Sequence, residues 1–95
     1  MVEQGQILKI EGIKYPALVV SKNIFNESGR VIVCPIISEA ADATLAYPIG
    51  QDRYVLCDNL RQLDLESRLF SVKDRVSLAG LIHIVDRVQS LFDYY

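Results

Sequence analysis

From Leu78 onward the apolar residues of this chain recur at spacings of three and four, whereas before Leu78 they come in short β-branched runs. That change of period is the strongest constraint on the fold. A helix repeats a face every three to four residues and a strand every second one. Leu78, Leu81, Ile82, Val85, Val88, Leu91, Phe92 and Tyr95 form one stripe, which predicts an amphipathic helix packed on the rest. The Ser77 hydroxyl stands where it can accept a backbone N–H and start that helix. His83, Asp86, Arg87 and Ser90 fall on the opposite, polar side, so His83 reads as a solvated histidine. Strands followed by one packing helix predict an α+β, mainly β domain.

Turn-forming residues divide the strand-like part. "QILKIE" (6–11) alternates weakly, and "EGIK" reads as a hairpin turn. "YPALVVSK" (15–22) is a β-branched run opened by a proline, which suits a strand start. "NIFNESGR" (23–30) reads as a loop. "VIVCPIIS" (31–38) is apolar almost throughout, so it predicts a strand covered on both faces. "EAADAT" (39–44) is a second loop and "LAYPI" a short strand. "RYVLCDNLRQLD" (53–64) predicts one long, bent strand, "LESRLF" a helical turn and "SVKDRVS" an edge strand. Short connections favour sequential antiparallel pairing. The expected product is a twisted sheet curled into a small barrel and closed by the C-terminal helix.

With 95 residues the chain fits a single domain, taken as 1–95. Hydrophobic residues make up 51% of it, and the mean hydropathy is +0.21. Both favour an apolar surface kept for a partner or a second copy. No apolar run reaches the length of a membrane span. The start, "MVEQGQILKIEG", lacks a basic-then-apolar signal pattern, so a cytoplasmic protein is expected. A net charge of −2 argues against nucleic-acid binding by bulk charge, but leaves room for a local basic patch. Cys34 and Cys57 each sit in an apolar run and read as buried free thiols. Two cysteines and one histidine are too few for a structural zinc site, and no cofactor is expected.

Three blocks carry a family resemblance. "GQILKIEG" is similar to an opening strand of the form G-x-I-W-x-V. "YPALVVSKNIFNESGRVIVCPI" is similar to R-P-x-L-V-V-S-x-x-x-x-N-x-x-G-x-x-x-x-x-P-I-T. "VLCDNLRQLDLESRL" is similar to V-x-x-D-Q-x-R-T-I-D-x-x-R, through Asp58, Arg61, Asp64 and Arg68. From Gly5 to about Val88 the chain resembles the MazF/PemK (Kid-like) toxins of bacterial toxin–antitoxin pairs. The resemblance implies an SH3-like barrel, a homodimer, an antitoxin partner and metal-independent cleavage of single-stranded RNA.

That chemistry drives a 2′-hydroxyl onto the neighbouring phosphate. It needs a base for the hydroxyl proton, an acid for the leaving 5′-oxygen, and donors for charge growing on the phosphate. The family pattern has an arginine before the second-strand proline and a threonine two residues after the third-strand proline. Here those slots hold Tyr15 and Ile37. Leu56 stands where Kid-like relatives have an arginine two residues before the aspartate, and the polar loop between the first strands is shortened to "EGIK". Lys14 and Ser38 lie one residue from the two altered slots and are the candidate replacements, with Tyr15 lining the site and Asp58 as base. Strand alternation sends a one-residue neighbour to the opposite face unless a bulge or hairpin end restores its aim. Arg61 and Arg68 are candidate phosphate ligands, since a guanidinium fork suits phosphate oxygens. For Arg61, ion pairing with Asp58, Asp64 or Glu66 is the competing role; for Asp58, it is holding backbone N–H groups at a strand end. Tyr94 and Tyr95 can stack bases or pack a helix end. The alternative function is a non-catalytic binder on the same scaffold. It would be a protein-targeting toxin like the CcdB-type gyrase poisons, or a regulatory subunit.

Overall fold

A computed structural model describes residues 1–38 and 45–92. The 39–44 segment expected as a loop, together with Tyr94 and Tyr95, lies outside the described residues. Seven strands and two α-helices follow one another among the described residues. They are β1 (Gln6–Ile10), β2 (Ala17–Val19), α1 (Asn23–Asn26), β3 (Arg30–Ile37), β4 (Ala46–Gly50), β5 (Arg53–Leu56), β6 (Arg61–Asp64), β7 (Phe70–Arg75) and α2 (Leu78–Gln89). The fold is α+β and mainly β, as the change of period predicts.

All strand pairings are antiparallel, in the order β4-β5-β3-β2-β1-β7, with β6 also beside β3. Sequential pairing therefore fails at β3, whose eight residues serve two partners along one edge. Arg30 to Val33 pair with β6, and Ile36 and Ile37 pair with β5. The expected long strand 53–64 is accordingly two strands, broken at Cys57–Leu60. Cys57 turns fully inward while Asp58 and Asn59 face solvent, and the Asn59 N–H closes the turn on the Leu56 carbonyl (3.2 Å). The chain then returns across the molecule, so that β7 pairs with β1.

Alternation along β2 and β3 builds two cores. Ala17, Val19, Val31 and Val33 join Leu8, Ile10, Leu63 and Leu65 on one side. Leu18, Val20, Cys34 and Ile36 join Ile7, Val55, Cys57 and Ile84 on the other. The apolar run at 31–38 is thus covered on both faces, as its composition predicts.

Residues 23–26 form a helical turn rather than loop. Asn23 Oδ1 accepts from the Gln4 N–H (2.7 Å), and buried Asn26 ties this turn to the N-terminal segment and to Ser21. Gly29, at φ +87°, then reverses the chain into β3, a conformation that disfavours any side chain. The turn expected after residue 64 is a single 3₁₀ turn, Leu65–Ser67, capped by Asp64 Oδ1 accepting from the Glu66 N–H (3.0 Å).

Helix α2 starts as expected, with Ser77 Oγ accepting from the Gly80 N–H (3.1 Å). Its orientation corrects the sequence reading. Gly80 and Ile84 are its buried residues, and Ile84 lies outside the stripe expected to pack. Leu78 and Phe92 are at least 70% exposed, and Ile82 and Leu91 are exposed as well. His83 is exposed but not simply solvated. Its ring stacks on Tyr47 (5.8 Å between centroids), and the Arg87 guanidinium lies 4.8 Å from the same ring. The aromatic contact with β4 goes with the Ile84 side turned inward, which leaves the stripe half-covered: Leu81, Val85 and Val88 are half-buried, and its other described members are exposed. Ile84→Ala should therefore cost about 3 kcal/mol through lost burial and the cavity left behind. Leu78→Ala should stay within about 0.5 kcal/mol. Urea unfolding of both variants checks the assignment, and the reverse ranking would refute it.

Candidate RNA cleft

The strand β2 begins at Ala17, two residues later than the sequence suggests, so Lys14, Tyr15 and Pro16 belong to the connection after β1. Strand alternation therefore does not bind Lys14. Its ammonium lies 5.1 Å from the Tyr15 ring centroid, a cation–π contact that holds the two together at the rim. The Pro16 carbonyl accepts from the Ile36 N–H (2.9 Å), which pins this connection to the far end of β3.

The pinning creates a cleft of about 240 Å³. The β1–β2 connection supplies Ile13, Lys14 and Tyr15, and β3 supplies Val33, Pro35 and Ile37 as floor. Leu56 and Asn59, before and within the turn, and Arg61 and Leu63 of β6 form the opposite wall. Arg61 stands opposite Val33 in the β3–β6 register, which sets it beside the floor. Lys14, Tyr15 and Arg61 thus meet in one place, from parts of the sequence far apart.

The other candidates do not line the cleft. Ser38 follows the end of β3 and is exposed, whereas Ile37 is the residue that lines. Asp58 is exposed on the turn between the lining residues Leu56 and Asn59. Arg68 borders a separate shallow depression with Glu11, Gly12, Ser67 and Leu69. Counted strictly, the last arginine of the third block falls on Ser67, and Arg68 comes one place later. The single 3₁₀ turn there sends Arg68 away from the cleft side of β6. Other residues of the blocks are structural. Ser21, Asn26 and Gly29 build the α1 turn, and Asp64 caps the 3₁₀ turn.

The electrostatics are one-sided. Among the described residues Lys14 and Arg61 are the only charged lining groups, and neither carboxylate nor imidazole lines the cleft. Among the described residues the ion pairs are Arg53–Asp74 and Arg75–Glu3, so Arg61 does not pair with Asp58, Asp64 or Glu66. The competing role for Arg61 is thereby removed. Asn59 is the lining polar group that the sequence reading missed. The signal was its place in the glutamine slot next to the aspartate of the third block. The cysteines are inert: burial pushes the Cys34 thiol up to about 12, with Cys57 and Asp58 adding to the effect. Burial also raises the Cys57 thiol.

A strand that serves two partners, a short connection pinned on its end, and a cationic cleft between them mark this small β-domain, whose overall fold matches solved MazF structures. The chain is similar to a MazE–MazF complex from Deinococcus radiodurans, at 26% identity and a TM-score of 0.82, over 99% of this chain and 97% of the other. MazF alone from the same organism aligns at 24% identity and a TM-score of 0.78, over 95% and 94%. An endoribonuclease bound to its cognate antitoxin, from a mycobacterial species, shares the fold at 18% identity and a TM-score of 0.82, covering both chains fully. No curated protein sequence matches significantly. The family described as PemK-like, MazF-like toxin of type II toxin–antitoxin system matches residues 5–92. The chain belongs to that family.

Proposed function

We propose that this chain is the toxin of a type II pair and that it cuts single-stranded RNA in the cleft of Lys14, Tyr15 and Arg61. One observation carries the reading: two cations, neither ion-paired among the described residues, line one apolar-floored cleft on a protein whose net charge is −2. An RNA backbone entering there gains charge-assisted hydrogen bonds, while its bases meet Tyr15, Pro35 and Ile37. In the reaction the 2′-oxygen bonds to phosphorus and the bond to the 5′-oxygen breaks, leaving a 2′,3′-cyclic phosphate and a 5′-hydroxyl. Arg61 stabilises charge on the phosphate, and the Lys14 ammonium supplies the proton to the departing oxygen. Asp58, exposed on the turn next to the lining Asn59, takes the 2′-hydroxyl proton at the cleft edge, while Ser38 at the end of β3 and Arg68 in its separate depression are contacts for RNA running beyond the cleft. No metal is required by these steps.

A second reading has a specific observation behind it. Tyr15 and Ile37 occupy the two altered family slots, both line the cleft, and among the described residues no carboxylate or imidazole lines it with them. A site of that composition can hold RNA, or a protein segment, without cutting it. In either reading the chain pairs with a cognate antitoxin, and we place the antitoxin over this cleft. The exposed apolar residues Leu78, Ile82, Leu91 and Phe92 in and after α2 support a homodimer, which we place in the cytoplasm.

The decisive experiment incubates purified protein with a long single-stranded RNA in the presence of a chelator and maps the ends. Discrete cuts with 2′,3′-cyclic phosphates establish the nuclease. Intact RNA that is nonetheless bound establishes the binder, and RNA neither cut nor bound removes both RNA roles.

A further inference from the structure

The free edge of the sheet carries a second surface, away from the cationic cleft. Strand β7 ends the strand order, and every one of its residues is exposed. Phe70 stands opposite Ile10 and Val72 opposite Leu8. Directly opposed residues share a sheet face, so Phe70 and Val72 continue the first core. Yet they are 40% and 49% exposed. Among the described residues, the core thus runs out uncovered at β7. A groove of about 460 Å³ opens beside Phe70, floored by Val2, Val31 and Leu65 and rimmed by Glu27 and Glu66.

Both rim carboxylates lack a cation. All ten lysines and arginines lie within the described residues, and none pairs with Glu27 or Glu66. Arg30, next to Gly29, alternates with the lining residue Val31 and so belongs to the other face. The Glu66 side chain is folded across Gly29: a Cβ at Gly29 would come within 2.6 Å of Glu66 Oε1. The bare glycine therefore keeps a carboxylate at the rim. Such a rim repels nucleic acid and favours lysine and arginine.

We propose that this groove binds an extended cationic peptide segment of a partner protein, which adds as a strand to the free edge of β7. Main-chain hydrogen bonds to β7 supply affinity that does not depend on sequence. An apolar side chain of the segment seats on Phe70, Val31 and Leu65, and flanking lysines or arginines meet Glu27 and Glu66. Alternation fixes the pattern: the apolar residue and the cations that flank it share the groove face, two residues apart, with small polar residues between them. The site holds whether or not the cationic cleft cuts RNA.

The test titrates isotope-labelled protein with a short Lys-Thr-Val-Thr-Lys peptide, which sets valine and both lysines on one face, N-methylated along one edge so that it stays monomeric. A copy with glutamate at each lysine is the comparison. The lysine peptide is expected to shift the amides of β7, Gly29 and Leu65 and to bind about tenfold tighter than the glutamate copy. Replacing Glu27→Gln and Glu66→Gln together should remove that preference while leaving the melting temperature in place. Equal affinity for the two peptides, no binding at concentrations on the order of millimolar, or shifts confined to α2 or to the Lys14–Tyr15–Arg61 cleft would overturn the proposal. The two peptides on the unaltered protein decide the matter even if the double variant folds poorly.

Discussion

Replacing Lys14 and Arg61 together by alanine should weaken binding of single-stranded RNA by about a thousandfold, with no loss of folding. Each residue offers a charge-assisted hydrogen bond to phosphate, worth about 1.5–3 kcal/mol. That is roughly tenfold to a hundredfold per residue. Both sit in one cleft on one ligand, so the double variant need not show the simple sum. The salt dependence gives an independent readout. Losing two phosphate contacts should flatten the slope of log affinity against log salt by about 1.4, at about 0.7 per contact for a single strand. Both side chains belong to exposed residues, so the melting temperature should barely move. Anisotropy titrations at two or more salt concentrations test this. Unchanged affinity and slope would remove the cleft from the RNA path and leave Arg68 as the remaining candidate. Arg61→Lys separates charge from geometry: a flexible ammonium keeps the salt slope but loses the fork, so affinity should fall by about tenfold.

Asn26→Ala should be the most damaging single change outside the apolar cores. Asn26 is only 4% exposed. Its Nδ2 donates to the carbonyls of Ser21 (3.1 Å) and Val2 (3.4 Å), and its Oδ1 accepts from the Ser21 hydroxyl. The same hydroxyl oxygen accepts from the Ile32 N–H (2.9 Å). One amide therefore ties the N-terminal segment, the end of β2, α1 and β3. Alanine leaves two buried carbonyls and a hydroxyl with one partner fewer. The cost is about 3 kcal/mol, or a melting temperature lower by roughly 15 °C for a domain of this size. Asn23→Ala, which removes one exposed hydrogen bond to the Gln4 N–H, should cost under about 1 kcal/mol. Thermal melts of the two variants provide the comparison. Equal losses would mean that the buried network does not anchor the turn.

Asn26 also shows where the reading of blocks needs structure beneath it. Ser21, Asn26 and Gly29 belong to the same family block as the altered slots Tyr15 and Ile37, yet they play different parts. The first three hold a turn together, and the last two line the cleft. A block records that residues occur together, whether they build the scaffold or meet a ligand. Arg61 and Asp64 divide the same way, one in the cleft and one capping a turn.

Much was determined by the sequence alone. The period change near Ser77 placed the helix and its cap, and the apolar run at 31–38 marked a strand covered on both faces. The three blocks pointed to the family before any coordinates. These signals are local, since a side-chain period or a capping hydroxyl acts within a few residues of chain. Tertiary structure decided the rest. It divided β3 between two partners and broke the 53–64 run, because a strand edge can be shared only where the chain leaves it. It turned Ile84 inward and left the longer apolar stripe half-covered, with Tyr47 of β4 packed against His83 and Arg87. And it joined Lys14 to Arg61 while leaving Asp58 and Arg68 outside the cleft, a choice that rests on the pinning of Pro16 to Ile36 and on the turns at 57–60 and 65–67. Contacts between segments so distant in the chain leave no period to read, so they emerge only when the strands are laid side by side.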